Sequence, residues 1–86
     1  MTIDRPRIAP GLEINEVEDG LIVYQESVER VHHLNPTASV VFELCDGTRD
    51  ASAITAMVRE LFGLDEEPND EVDACLSRFL HEGLVL

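Results

Sequence analysis

The segment Val31-His32-His33-Leu34-Asn35-Pro36-Thr37-Ala38, running on to Leu44-Cys45-Asp46-Gly47, constrains this fold more than any other. An extended stretch meets Asn35, whose side-chain oxygen suits the orphan amides of a first helical turn. Pro36 fits the next position, where a missing N–H costs nothing. Val40, Val41, Leu44 and Cys45 recur at helical spacing and Gly47 offers a left-handed stop, so the pattern predicts a short helix over Pro36 to Cys45. A strand that turns directly into a helix leaves an extended edge beside whatever the domain binds.

The rest of the chain fits around that junction. Residues 1–11 carry Pro6, Pro10 and Gly11 and read as an irregular lead-in. Leu12 to Glu18 alternates imperfectly, Asp19-Gly20 is a hairpin signal, and Leu21-Ile22-Val23-Tyr24 reads as a second strand. A third strand is expected from about Val28 to Leu34 after a weak turn at Glu26-Ser27. Val28, Arg30, His32 and Leu34 share one face and Glu29, Val31 and His33 the other, a weakly specified register that suits a sheet edge. Downstream, Asp50 caps a second helix with the stripe Ile54, Met57, Val58, Leu61 and Phe62, ended by Gly63. A third helix, capped by Asn69 or Asp70 and stopped by Gly83, presents Val72, Cys75, Leu76, Phe79 and Leu80. Leu84-Val85-Leu86 is a final apolar tag expected to pack on the core. Three strands of an antiparallel sheet followed by three helices make an α+β domain with a winged helix-turn-helix outline.

Eighty-six residues suit a single domain, expected to span 1–86. No apolar run approaches the ~20 residues that span a bilayer, and Met1 to Arg7 lack a secretory pattern, so a cytoplasmic setting without a membrane partner is expected. There Cys45 and Cys75 read as small hydrophobes rather than a disulfide. The formal net charge is −12, and all six basic residues are arginines. Such a balance opposes nucleic acid as a partner, because phosphate affinity rests on clustered cations. Arg59 stands against Glu60, and Arg78 against Glu71, Asp73 and Glu82, so neither helix suits a phosphate backbone.

Catalysis and cofactors fare no better. Adjacent histidines on a strand point to opposite faces, so His32 and His33 cannot share a metal ion; one is expected to pack and the other to face solvent. Cys45, Cys75 and His81 lack structural-zinc spacing. No Walker-type lysine exists, and no nucleophile–base–orienter set is evident. What remains is binding a peptide: an exposed strand edge accepts an extended segment by strand addition. The third strand and third helix are the candidate walls, with Arg30 and Arg78 placed to pair with carboxylates of an acidic ligand. Each arginine has a plainer reading as a partner of nearby surface glutamates.

The residues Asp19-Gly20, Leu21-Ile22-Val23-Tyr24, Val31 to Ala38, Val41-Phe42-Glu43-Leu44-Cys45-Asp46-Gly47, Ile54 and Phe79-Leu80-His81-Glu82-Gly83-Leu84-Val85 together resemble the PqqD-like family. These are small recognition domains for leader peptides of ribosomally made, post-translationally modified peptides. The resemblance runs from about residue 5 to the end and leaves no additional domain over. It implies that a precursor's leader adds as a strand beside the third strand and packs on the third helix. Carried over, the peptide-binding residues are Glu29, Arg30, Val31, His32, His33 and Leu34 on the strand. On the helix they are Asp73, Leu76, Ser77, Arg78 and Leu80. The resemblance further implies a non-catalytic, cofactor-free adaptor that delivers the peptide to a modifying enzyme. That enzyme is a radical S-adenosylmethionine protein in pyrroloquinoline quinone biosynthesis for the founding members, or a lasso-peptide protease or cyclase. The alternative is a winged helix-turn-helix transcriptional regulator binding DNA as a dimer. The same open edge also admits a homodimer.

Overall fold

Leu21, Val23 and Gln25 alternate along one strand and are all buried, with Ile22 and Tyr24 only half-buried between them, so the sheet has one covered face. The computed structural model describes residues 5–86. Strands β1 (Leu12–Val17), β2 (Gly20–Gln25) and β3 (Arg30–Leu34) precede helices α1 (Pro36–Glu43), α2 (Ala51–Phe62) and α3 (Asn69–His81). The sheet is antiparallel in the order β1-β2-β3. Three strands followed by three helices is the α+β arrangement expected from the sequence. No helix among the described residues is long and apolar enough to cross a membrane.

Register sets the two faces. Val23 lies opposite Ile14 and His32, and Leu21 opposite Glu16 and Leu34. Helix α1 covers β2 and β3. Its Phe42 meets Phe79 of α3 edge to face, with ring centroids 5.3 Å apart, an arrangement worth about 1 kcal/mol beyond the area it buries. Leu84 and Val85 are buried beneath the helices while Leu86 is exposed. The lead-in is drawn into the body where it is described: Ile8 donates to the Cys45 carbonyl at 2.9 Å and Ala9 to the Leu84 carbonyl at 2.9 Å. Its first four residues, Met1 to Asp4, lie outside the described residues.

Several boundaries differ from expectation. Val17 pairs with Gly20, so the hairpin loop is Glu18-Asp19 and Gly20 opens β2. Gly20, at φ 151°, serves a contact rather than the turn: a β-carbon there would drive into the Leu34 carbonyl oxygen. The third strand starts at Arg30, not Val28. Glu26–Val28 form a 3₁₀ turn and Glu29 sits at φ 51°, ψ 46°, its N–H bonded to the Glu26 carbonyl at 3.1 Å. With no glycine between Gly20 and Arg30, a glutamate takes the left-handed position that reverses the chain. Glu29 therefore precedes the strand rather than lying on it.

Among the helices, Asn35 caps α1 as expected, its Oδ1 accepting from the Ala38 N–H at 2.8 Å. The helix nonetheless stops at Glu43 with Leu44 as C-cap. Asp46 is pulled out to bridge Arg7, and Gly47 donates its N–H to the Pro6 carbonyl at 3.0 Å instead of ending the helix. Asp50 and Gly63 cap α2 as expected. Helix α3 begins at Asn69 after Pro68, without the side-chain cap expected from Asn69 or Asp70. Asp70 and Glu71 in its first turn supply the compensating negative charge. The α2 stripe is only half in the core: Ile54 and Val58 are fully buried, but Leu61 and Phe62 are exposed.

Candidate functional site

β3 is an edge strand: β2 pairs along one side, and among the described residues no strand pairs along the other. His32 and Leu34 turn into the core, while Val31 and His33 face outward. The two histidines thus divide as expected, one packed and one solvated. His33 Nε2 lies 3.9 Å from Asp19 Oδ1, with both side chains well exposed.

The inward side of this edge is tied to the end of α3. Gln25 Nε2 donates to the Glu82 carbonyl oxygen at 2.9 Å. Its Oε1 lies 3.0 Å from His32 Nε2. An amide that spends its N–H on a carbonyl turns its oxygen to the ring, so His32 Nε2 carries a proton and donates. Both partners are buried, and the network leaves no described buried side-chain polar atom unpaired. Further out, Arg30 Nη1 reaches Glu82 Oε2 at 3.3 Å, with 65% of the Arg30 side chain exposed. Gln25, Val28, Arg30, His81 and Glu82 line a shallow pocket of about 410 Å³ between strand and helix.

The residues expected on the helix divide around its axis. At 100° per residue, Arg78 lies on the side of Glu82 and Glu71, the side that meets β3 through Arg30. Cys75 sits among them: burial raises its pKa, the Glu71 carboxylate raises it further, and Arg78 pulls it down. Arg78 itself is exposed and makes no ion pair with a described residue. Asp73, Ser77 and Leu80 share a stripe about 150° away, and half-buried Leu76 lies between that stripe and the core. Of the expected residues, Arg30 lines the cleft; Arg78 lies on the same side of α3 as Glu82 without lining it, and Asp73, Ser77 and Leu80 lie on another flank.

Sequence reasoning did not single out Gln25, Val28 or Glu82 for this cleft. Gln25 carried a usable sign: it is polar yet in phase with Leu21 and Val23, and a buried amide requires partners. Glu82 carried none, because its role depends on how α3 ends. Elsewhere, Asp46 has a lowered pKa, chiefly through the hydrogen bond from the Thr48 side chain. Burial first, then Asp46 and Cys75, pushes the Cys45 thiol up to about 12. Among the described residues no group of three or more His, Cys, Asp or Glu side chains could hold a metal ion.

Fold and cleft together define a small α+β domain whose β3 edge, unpaired among the described residues, lies across a cleft from a helix end. The family profile described as Coenzyme PQQ synthesis protein D (PqqD) matches residues 20–85, and the chain belongs to that family. Two curated relatives from Klebsiella pneumoniae, one of them from strain 342, are each named PqqA binding protein. Each is 41% identical over 54 residues, covering 58% of this chain and 55% of the relative. The match spans about half the length of those relatives. No solved structure matches the chain.

Proposed function

We propose that this chain is a non-catalytic adaptor. It takes the leader segment of a ribosomally made precursor peptide as an added strand on β3 and presents it to a modifying enzyme. The observation that carries this reading is the β3 edge, unpaired among the described residues, set across a cleft from the end of α3. Backbone groups of Arg30 to Leu34 supply the ladder, and the outward Val31 and His33 contact alternate side chains of the peptide. Arg30 and Arg78 meet its carboxylates. Family membership and relatives named for binding PqqA support a precursor peptide as the ligand. The modifying enzyme is a radical S-adenosylmethionine protein, a cyclase or a protease, and the complex forms in the cytoplasm.

The test is titration of a synthetic acidic leader peptide into the purified chain and its Val31→Pro variant. Proline removes a ladder donor, so the folded variant is expected to lose leader binding. Full binding by a folded Val31→Pro protein would remove strand addition at this edge.

A further inference from the structure

The segment that leads into the sheet is itself bonded along both sides. Toward the tail, Arg7 and Leu86 exchange backbone bonds. The Arg7 N–H donates to the Leu86 carbonyl at 3.3 Å and the Leu86 N–H to the Arg7 carbonyl at 2.8 Å. The Ala9 N–H adds a bond to the Leu84 carbonyl at 2.9 Å. On the opposite side, the Ile8 N–H donates to the Cys45 carbonyl at 2.9 Å and the Gly47 N–H to the Pro6 carbonyl at 3.0 Å. Residues 6–9 thus tie the connection after α1 to the tail after α3, and half-buried Ile8 packs on the core. Gly47 leaves room for them: a β-carbon there would lie 3.4 Å from Arg7 Cβ.

That tail starts at the wall of the cleft. Helix α3 closes on Gly83, at φ 74°. The Leu84 N–H bonds the Phe79 carbonyl at 2.8 Å and the Gly83 N–H the Leu80 carbonyl at 3.2 Å, the paired bonds of a left-handed helix stop. Glu82 stands just before this reversal, its carbonyl accepting from Gln25 and its carboxylate from Arg30. A β-carbon at Gly83 would lie 3.4 Å from Gln25 Nε2, so there is little slack between the tail and the Gln25 amide. None of residues 6–9 lines the cleft itself.

We propose that residues 6–9 are a strap that positions the end of α3 and so sets leader affinity without touching the leader. The proposal rests on the adaptor reading above. With the strap seated, Glu82, Gln25 and Arg30 are arranged before the peptide arrives. With it loosened, the peptide must order the far wall of the cleft as it binds, which costs affinity. Ile8 and Ala9 are positioning residues in this sense. The rival account is that burial of Leu84 and Val85 holds the tail by itself.

Three variants of the full chain separate the two. Ala9→Pro removes the donor to Leu84 and leaves every cleft residue in place. Ile8→Ala is milder, keeping the backbone donors while trimming the side chain that seats the strap. Asp50→Ala deprives α2 of its cap and controls for stability lost away from strap and cleft. Gln25 is the single glutamine of the chain, so its side-chain amide signals in an NMR spectrum report directly on the bond to Glu82. Ala9→Pro is expected to move those signals toward a solvated amide and to weaken the same synthetic acidic leader peptide about fivefold or more. Ile8→Ala should move both readouts the same way by less. Asp50→Ala should lower the unfolding midpoint and change neither. Leader affinity unchanged in a folded Ala9→Pro protein, or in Ile8→Ala where the proline variant does not fold, overturns the strap. Affinity lost with the Gln25 signals unmoved, or equal changes in Asp50→Ala, overturns it too. Displaced Gln25 signals in Ala9→Pro with no leader binding by any protein, wild type included, would instead remove the adaptor reading.

Discussion

The side-chain amide of Gln25 closes on the end of α3, its Nε2 2.9 Å from the carbonyl oxygen of Glu82. The same amide receives the His32 ring on its other side, so one residue at the end of β2 joins β3 to the third helix. Replacing it with leucine would leave a ring N–H and a helix-terminal carbonyl without partners. Each buried orphan costs about 1–3 kcal/mol, so Gln25→Leu is expected to lower stability by about 3 kcal/mol in urea unfolding. Adding His32→Leu removes one orphan and should recover part of that loss. A Gln25→Leu protein as stable as wild type would show that the bonds do not hold helix to sheet.

Two glycines with positive φ, Gly20 and Gly11, stand in unlike surroundings. At Gly20 a β-carbon would collide with the Leu34 carbonyl, backbone against backbone; at Gly11, φ 80°, it would meet nothing within 4 Å. Gly11→Ala is therefore expected to cost only the left-handed penalty of about 1–2 kcal/mol. Gly20→Ala must also move β3, and should cost more than that. Equal unfolding midpoints for the two variants would mean that β3 yields freely at Leu34.

The contrast between those glycines also marks what the sequence could disclose. Element order, the Asn35 and Asp50 caps and the Gly63 stop are local: one residue's chemistry answers one turn's orphan groups, so spacing suffices to read them. Gly20 and Gly47 were legible as breakers but not in their roles. Their partners, Leu34 and Pro6, are remote in sequence and meet them only in the fold. The α2 stripe misled for the opposite reason. Leu61 and Phe62 have the right period, but the helix outruns the surface it packs on. Of the cleft, the β3 edge and Arg30 were readable from strand pattern and isolated charge. Gln25 and Glu82 required knowing where α3 ends.

Alkaline pH tests the core at Cys45. Its thiol, ordinarily near 9.0, is pushed up to about 12, chiefly by burial. Between those values the unfolded chain releases a proton that the folded chain holds, so stability falls as pH rises. The contribution is complete below about pH 9 and declines toward pH 12, at no more than about 1.4 kcal/mol per pH unit. Urea midpoints of wild type and Cys45→Val, compared from neutral to about pH 11, should diverge above pH 9, with wild type declining faster. The folded thiol should also resist alkylation at pH 8 until denaturant is added. Parallel pH profiles for the two proteins would place Cys45 in contact with solvent.

The Arg30–Glu82 pair yields the sharpest prediction about the cleft. At 3.3 Å with Arg30 mostly exposed, such a pair contributes about 0.2–1 kcal/mol, so parting it costs little. A peptide carboxylate can then replace that of Glu82 at nearly constant energy. Glu82→Gln frees the guanidinium in advance and should tighten an acidic leader a few-fold, about 0.5–1 kcal/mol, without loss of thermal stability. Arg30→Glu sets two carboxylates against the incoming peptide and should weaken it about tenfold, an effect that high salt reduces. If Glu82→Gln weakens the leader instead, Glu82 is itself a peptide contact, and the cleft selects a basic rather than an acidic residue at that point.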